Sequence, residues 1–378
     1  MIPQNRRTLI AGAAASLLAP GLADAAKPPG PIIVNALGGL DNPNLGLNRS
    51  SQGAADTSRP DVDDRAIREA KASGLTAVNI TLGYVSGPQD PYEYTIRTIG
   101  VWDQLLRERG ADLIRIERAS DLQRARREGK VGVIYGFQNM AQVADKLDRI
   151  DTFARLGVRV MQLTYNPANQ IGDGSMAPEN RGLTPFGREV VARINANKAM
   201  VDLSHSGERT CLDAIAASTR PISINHTGCR AVTDLPRNKT DAELRGVAEK
   251  GGFVGVYFMP FTNLSGHAHA EDVVAHIAHA VEVCGEDHVG IGTDGGVTTI
   301  DDLGQYQAHL TQEITERRAA GISATGERPD TYPFVVDLRG PEQFHKLARL
   351  LKAKGYSSGR VEKILGQNYL GFAREIWG

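Results

Sequence analysis

His205 and His226 each stand just past a short apolar run with strand character, Val201-Asp202-Leu203-Ser204 and Ile222-Ser223-Ile224-Asn225. Imidazoles bind divalent ions, and two of them on neighbouring strand ends make half of a metal site. A histidine beyond the C-terminal end of a barrel strand points into the mouth, where barrel enzymes keep their chemistry. Asp294 follows a third such run, Val289-Gly290-Ile291-Gly292-Thr293. A carboxylate facing two histidines can take a proton from water or join the metal site itself. Alone, Asp294 before two glycines reads as a turn residue; with histidines at corresponding strand ends it reads as functional.

The elements that must position these groups alternate along the chain. Short Val/Ile-rich runs at 32–36, 77–82, 131–135, 158–164, 200–203, 222–225, 253–257 and 289–292 predict eight strands. They do not alternate polar with apolar, as befits strands buried on both faces. Helical spacing separates them. Residues 63–73 put Ala66, Ile67 and Ala70 on one face, 240–250 open with Thr240 and Glu243 as a capping box, and 270–284 carry the same period. Eight strands alternating with helices predict an α/β fold, a (β/α)8 TIM barrel. Segments 166–185 and 259–270 read as loops over the mouth. Residues 341–378 read as helices packed outside the barrel.

A chain of 378 residues with 41% hydrophobic content can fill one large barrel core. Its net charge of −1 and lack of a basic run give no footing for nucleic acid or an anionic membrane. Arg6-Arg7 before an Ala-rich apolar run, with Ala23-Asp24-Ala25 as a cleavage site, resemble a twin-arginine export signal over residues 1–25. Residues 26–378 then form a single barrel domain, periplasmic or secreted, without a stable membrane anchor. Cys211, Cys229 and Cys284 are odd in number and widely spaced, which predicts no disulfide framework. Cys229 follows His226 by three residues, but no CxxC supports it as a ligand, and a small buried residue is the expectation. His267-x-His269 could share a metal from an extended segment; an exposed loop pair is the expectation.

Several further segments fall in one order: Gly157-Val158-Arg159, Leu183-Thr184-Pro185-Phe186-Gly187, Val201 to His205, Asn225-His226, Pro236-Arg237-Asn238-Lys239-Thr240-Asp241 and Gly290 to Asp294. Together they resemble the renal (membrane) dipeptidase family, metallopeptidases of the amidohydrolase superfamily. That resemblance implies a metallo-dependent-hydrolase barrel with two zinc ions bridged by a carboxylate and water, acting on dipeptides. It implies that His205 and His226 bind the second metal, that Asp294 handles the proton, and that Arg237 holds the substrate carboxylate. A bidentate guanidinium suits a peptide C-terminus. Relatives commonly form dimers, so a homodimer is possible.

Four positions depart from the family pattern. Its His-x-Asp motif after the first strand corresponds to Leu37 and Gly39, neither able to bind a metal, and Asp41 lies two residues late. The bridging glutamate corresponds to Gln138, a doubtful ligand, and the fourth-strand histidine to Tyr165, which can still donate a hydrogen bond to substrate. Losing two carboxylates and an imidazole removes the attraction for a second dication. The expectation is one divalent metal per chain, zinc before iron, copper or manganese, completed by Asp294 or Gln138. Two other readings stay open: a barrel that binds a small carboxylate ligand without cutting it, and a mononuclear metal lyase or isomerase.

Overall fold

Among the described residues nine parallel strands make the sheet: β1 (Val34–Asn35), β2 (Ala77–Thr81), β3 (Leu113–Ile116), β4 (Val131–Phe137), β5 (Val158–Gln162), β6 (Met200–Asp202), β7 (Ser223–Thr227), β8 (Phe253–Val256) and β9 (Val289–Ile291). The computed structural model describes residues 30–46 and 60–378, and the expected export signal at 1–25 lies outside the described residues. Residues Pro31–Gly378 form one compact unit. The circuit runs β1-β2-β4-β5-β6-β7-β8-β9 and closes where Ala36 donates to Ile291 (3.0 Å) and Asp294 to Leu37 (2.9 Å). The expected eight-stranded barrel is therefore present.

The ninth strand, β3, was not among the expected eight. It pairs with the first half of β4, Leu113 opposite Val131, and β5 takes over at Tyr135 opposite Val158. Its burial is mixed, with Arg115 half-buried in ion pairs to Asp103 and Glu117. Leu-Ile-Arg-Ile is too short, and carries a charge, to stand out from the helices on either side.

The helices begin where local chemistry starts them. Asp63 caps Asp64–Ala72, Thr184 caps Pro185–Ala196, and Thr240 with Glu243 forms the capping box of Asp241–Glu249. Their apolar faces and the outward faces of the strands share one core. A second core fills the barrel itself. Ile32, Val34, Ala77, Val160, Met200 and Phe253, at the N-terminal ends of strands, pack on Tyr369, Phe372 and Ile376. The final helix, Asn368–Trp377, thus closes the barrel floor rather than joining the outer ring. Gly255 and Gly292 let β8 and β9 close on β7, since a Cβ at either would meet the Asn225 carbonyl at 2.0 or 1.9 Å.

Segments 166–185 and 259–270 do run over the mouth, but a third cover was missed. The helix Leu303–Ala319 and the chain that follows it bring Tyr306, Glu313, Arg317 and Glu327 to the opening. Among the described residues no helix is long and apolar enough to cross a membrane.

Candidate functional site

The two histidines come together by a relay at the ends of β6 and β7. Asp202, 1% exposed, accepts from the Ser204 hydroxyl (2.5 Å), the Ser204 amide (3.0 Å) and the Asn225 amide (3.0 Å). The Ser204 hydroxyl in turn accepts from the His226 amide (3.0 Å). Burial raises the Asp202 pKa, and these three donors work against that rise. Asp202 and Ser204 were not read as site residues. The signal was there: a carboxylate and a hydroxyl two apart at a strand end, suited to a local turn.

His205 and His226 stand with ring centroids 4.9 Å apart. Asn166 donates from Nδ2 to the Ile322 carbonyl (2.8 Å), so its Oδ1 faces His205 Nδ1 at 2.7 Å. That partner puts the proton of the neutral ring on Nδ1 and leaves a lone pair on Nε2. Arg237 Nη2 lies 3.3 Å from that lone pair, while its Nη1 donates to the Ser204 carbonyl (2.6 Å). Tyr165 stacks on His205, with centroids 4.3 Å apart, and its hydroxyl accepts from Arg317 (3.2 Å). Both ring nitrogens of His226 are buried without a hydrogen-bond partner. Burial, then the charge of Arg237, holds both imidazoles well below the ordinary histidine pKa, so both are neutral.

Arg237 is 1% exposed, not a surface loop residue. Its segment is fastened by Lys239, which reaches the Ser206 carbonyl, lies 3.1 Å from Cys211 Sγ and pairs with Glu243 at 3.2 Å. His276 fastens it again, accepting from the Cys229 amide (2.8 Å). Cys229 is a buried thiol in this packing, as expected, and the three cysteines are free. His267 and His269 are exposed.

Asp294 sits at φ +59°, a left-handed conformation that aspartate tolerates better than most residues. It lines a cavity of about 310 Å³ with His205, Arg237, Tyr165, Gln138 and Arg317. Burial pushes its pKa up to about 6, against the pull of Arg237 and Arg317. Gln138 donates to Thr81 (2.9 Å), which leaves its amide oxygen to offer the cavity. Among the described residues no group of three or more His, Cys, Asp or Glu is placed to hold one ion. Asp294 and Gln138, the two expected completions of the ligand set, both line the cavity that His205 lines.

Two neutral imidazoles, one with both nitrogens buried and without a hydrogen-bond partner, are donors suited to a divalent ion, with His205 Nε2 facing Arg237. They do not fit a carboxylate-bridged pair, since Leu37, Gly39 and Gln138 supply no charge for a second.

Comparison with known proteins shows the family and the fold. The family model described as membrane dipeptidase, peptidase family M19, matches residues 84–325. An uncharacterized protein encoded in the pqqA 5′ region of Klebsiella pneumoniae is 26% identical over 304 residues, 77% of this chain and 99% of that protein. Dipeptidase tcpJ of Claviceps purpurea is 30% identical over 263 residues, 68% of this chain and 54% of its own length, so this chain spans about half of it. The crystal structure of an amidohydrolase from Pseudomonas aeruginosa superposes with a TM-score of 0.76 at 28% identity, covering 92% of this chain and 97% of that one.

Proposed function

The chain belongs to the membrane dipeptidase family and is a metal-dependent hydrolase of dipeptidase type, and from that premise we propose that it cuts the amide bond of a dipeptide or similar small carboxylate-bearing substrate with one divalent ion, zinc by donor chemistry. The observation that carries this reading is the pair of buried, neutral imidazoles with ring centroids 4.9 Å apart, His226 without hydrogen-bond partners and His205 on the cavity that Arg237 also lines.

His205 and His226 would hold the ion. When bound there, a divalent cation supplies Lewis acidity, polarising a carbonyl and easing the loss of a proton from water. Arg237 has N–H donors beyond those facing Ser204 and His205, and these suit a substrate carboxylate. Asp294, ionised at neutral pH and close to its midpoint near pH 6, takes a proton on its carboxylate and returns it to the departing amine. The Tyr165 hydroxyl accepts from Arg317 and keeps its own proton for the substrate carbonyl. The helix Leu303–Ala319 covers these groups and limits water. The Arg6-Arg7 signal supports action outside the cytoplasm.

Elemental analysis of protein purified without chelators tests the reading. We expect about one metal per chain, lost in both His205→Ala and His226→Ala together with dipeptide hydrolysis. One observation favours a second reading: no third ionisable ligand joins the imidazoles among the described residues. Protein that takes up no metal even after resupply, and binds dipeptides without cutting them, would replace the hydrolase with a carboxylate-binding barrel.

A further inference from the structure

The mouth holds a second cavity, about 330 Å³, beside the one lined by the histidine site. Gln138, Asp294, Tyr306 and Pro333 line both cavities and so form the wall between them. The second cavity lies over the ends of β1 and β9, where Leu37, Gly38, Gly39, Gly295 and Gly296 bring no charged side chain. Part of its lining is aromatic. Tyr306 and Phe334 approach with ring centroids at 5.8 Å, Tyr332 stacks on Phe334 at 4.9 Å, and Arg339, also on the lining, lies over the Phe334 ring at 5.4 Å. Phe258, from the end of β8, adds a third aromatic surface. Asp41 is the one carboxylate besides Asp294 on this lining, and among the described residues no group of three or more His, Cys, Asp or Glu gathers there. It stays open because two glycines form its floor: a Cβ on Gly295 would meet nothing within 4 Å, and one on Gly296 nothing closer than 3.8 Å.

The placement decides the occupant. A carboxylate held by Arg237 puts the C-terminal residue of a dipeptide in the first cavity. Asp294, which serves the bond being cut, stands on the shared wall. What lies across that wall is the amino-terminal residue. We propose that the second cavity is the pocket for the amino-terminal side chain and selects a large apolar, aromatic one; this rests on the hydrolase reading above. Aromatic walls favour such a side chain through edge and offset ring contacts as well as burial, and the volume lies in the range of built ligand pockets. The strand end of β1 thus serves substrate recognition rather than metal binding.

The test compares kcat/KM for Phe-Ala and Ala-Ala on the metal-supplied, full-length protein. We expect the ratio to favour Phe-Ala by about tenfold or more, the size of burying a phenyl ring. Gly295→Leu fills the cavity and should bring the ratio toward one. Phe334→Ala removes a wall without obstructing the space and should lower the ratio as well. A wild-type ratio of one or below, or a ratio unchanged in both variants, overturns the proposal. Should neither dipeptide be cut, the hydrolase reading fails by itself. The ratio is then taken from equilibrium binding by calorimetry: a preference for Phe-Ala lost in Gly295→Leu still supports the pocket, and equal binding overturns it.

Discussion

Replacing Asp294 with asparagine should stabilise the protein and abolish its chemistry at the same time. The carboxylate ionises at a pKa raised from 3.8 to about 6, chiefly because the folded chain takes it out of water. A rise of about 2 units corresponds to roughly 3 kcal/mol of folding free energy lost when the group is charged. The sign follows from proton counting. Below pH 4 both folded and unfolded states hold the proton and nothing is lost. Between pH 4 and 6 the unfolded chain gives up its proton first, so stability falls as pH rises, and above pH 6 the loss is complete. Asparagine has the same shape, cannot ionise and accepts the left-handed φ of +59°. Guanidinium denaturation of chelator-treated protein should therefore show Asp294→Asn more stable by up to about 3 kcal/mol at pH 7.5 and equal to wild type at pH 4. On metal-supplied protein, kcat should fall by about 10² to 10⁴ for want of the proton acceptor. A variant less stable than wild type at pH 7.5, or one keeping kcat within threefold, would refute the account of Asp294 as a strained base.

Two other substitutions probe the supports. Ser204→Ala breaks both links of the Asp202–Ser204–His226 relay and leaves buried groups unpaired; we expect a loss of about 2–3 kcal/mol in chemical denaturation and a weakened hold on metal. His276 is held down to a pKa of about 4 by burial, while its Nδ1 accepts from Cys229 and its Nε2 faces the Thr262 carbonyl at 3.0 Å. A depressed histidine costs nothing above its unfolded pKa near 6.5 and destabilises progressively as pH falls from there to 4. The wild type should lose up to about 3 kcal/mol over that window from this residue, and His276→Gln should lack that part of the acid slope. Equal slopes in the two proteins would exclude the assignment.

The barrel could be read from sequence because each of its strands had to be apolar on both faces, and a contiguous run such as Val289-Gly290-Ile291 is a local property of the chain. Its caps were equally local: Thr240 and Glu243 identify their helix three residues apart. The strand ends followed, and with them His205, His226 and Asp294 as candidates, since barrel topology sends every strand end to one mouth. β3 escaped because four residues with a central arginine carry too little pattern. Tertiary structure alone decided the rest. Side chains far apart in sequence meet only through the closed barrel, so no spacing rule could show Arg237 buried against His205, Asn166 setting its tautomer, or Arg317 reaching Tyr165 from a helix 152 residues on. Nor could sequence show which groups join the imidazoles, because coordination depends on ångström distances between strand ends while sequence specifies only their order. The cavity beside them is likewise a product of packing: Leu37 and Gly39 announce missing ligands, but the space they leave has a shape only once Tyr306 and Phe334 fold across it.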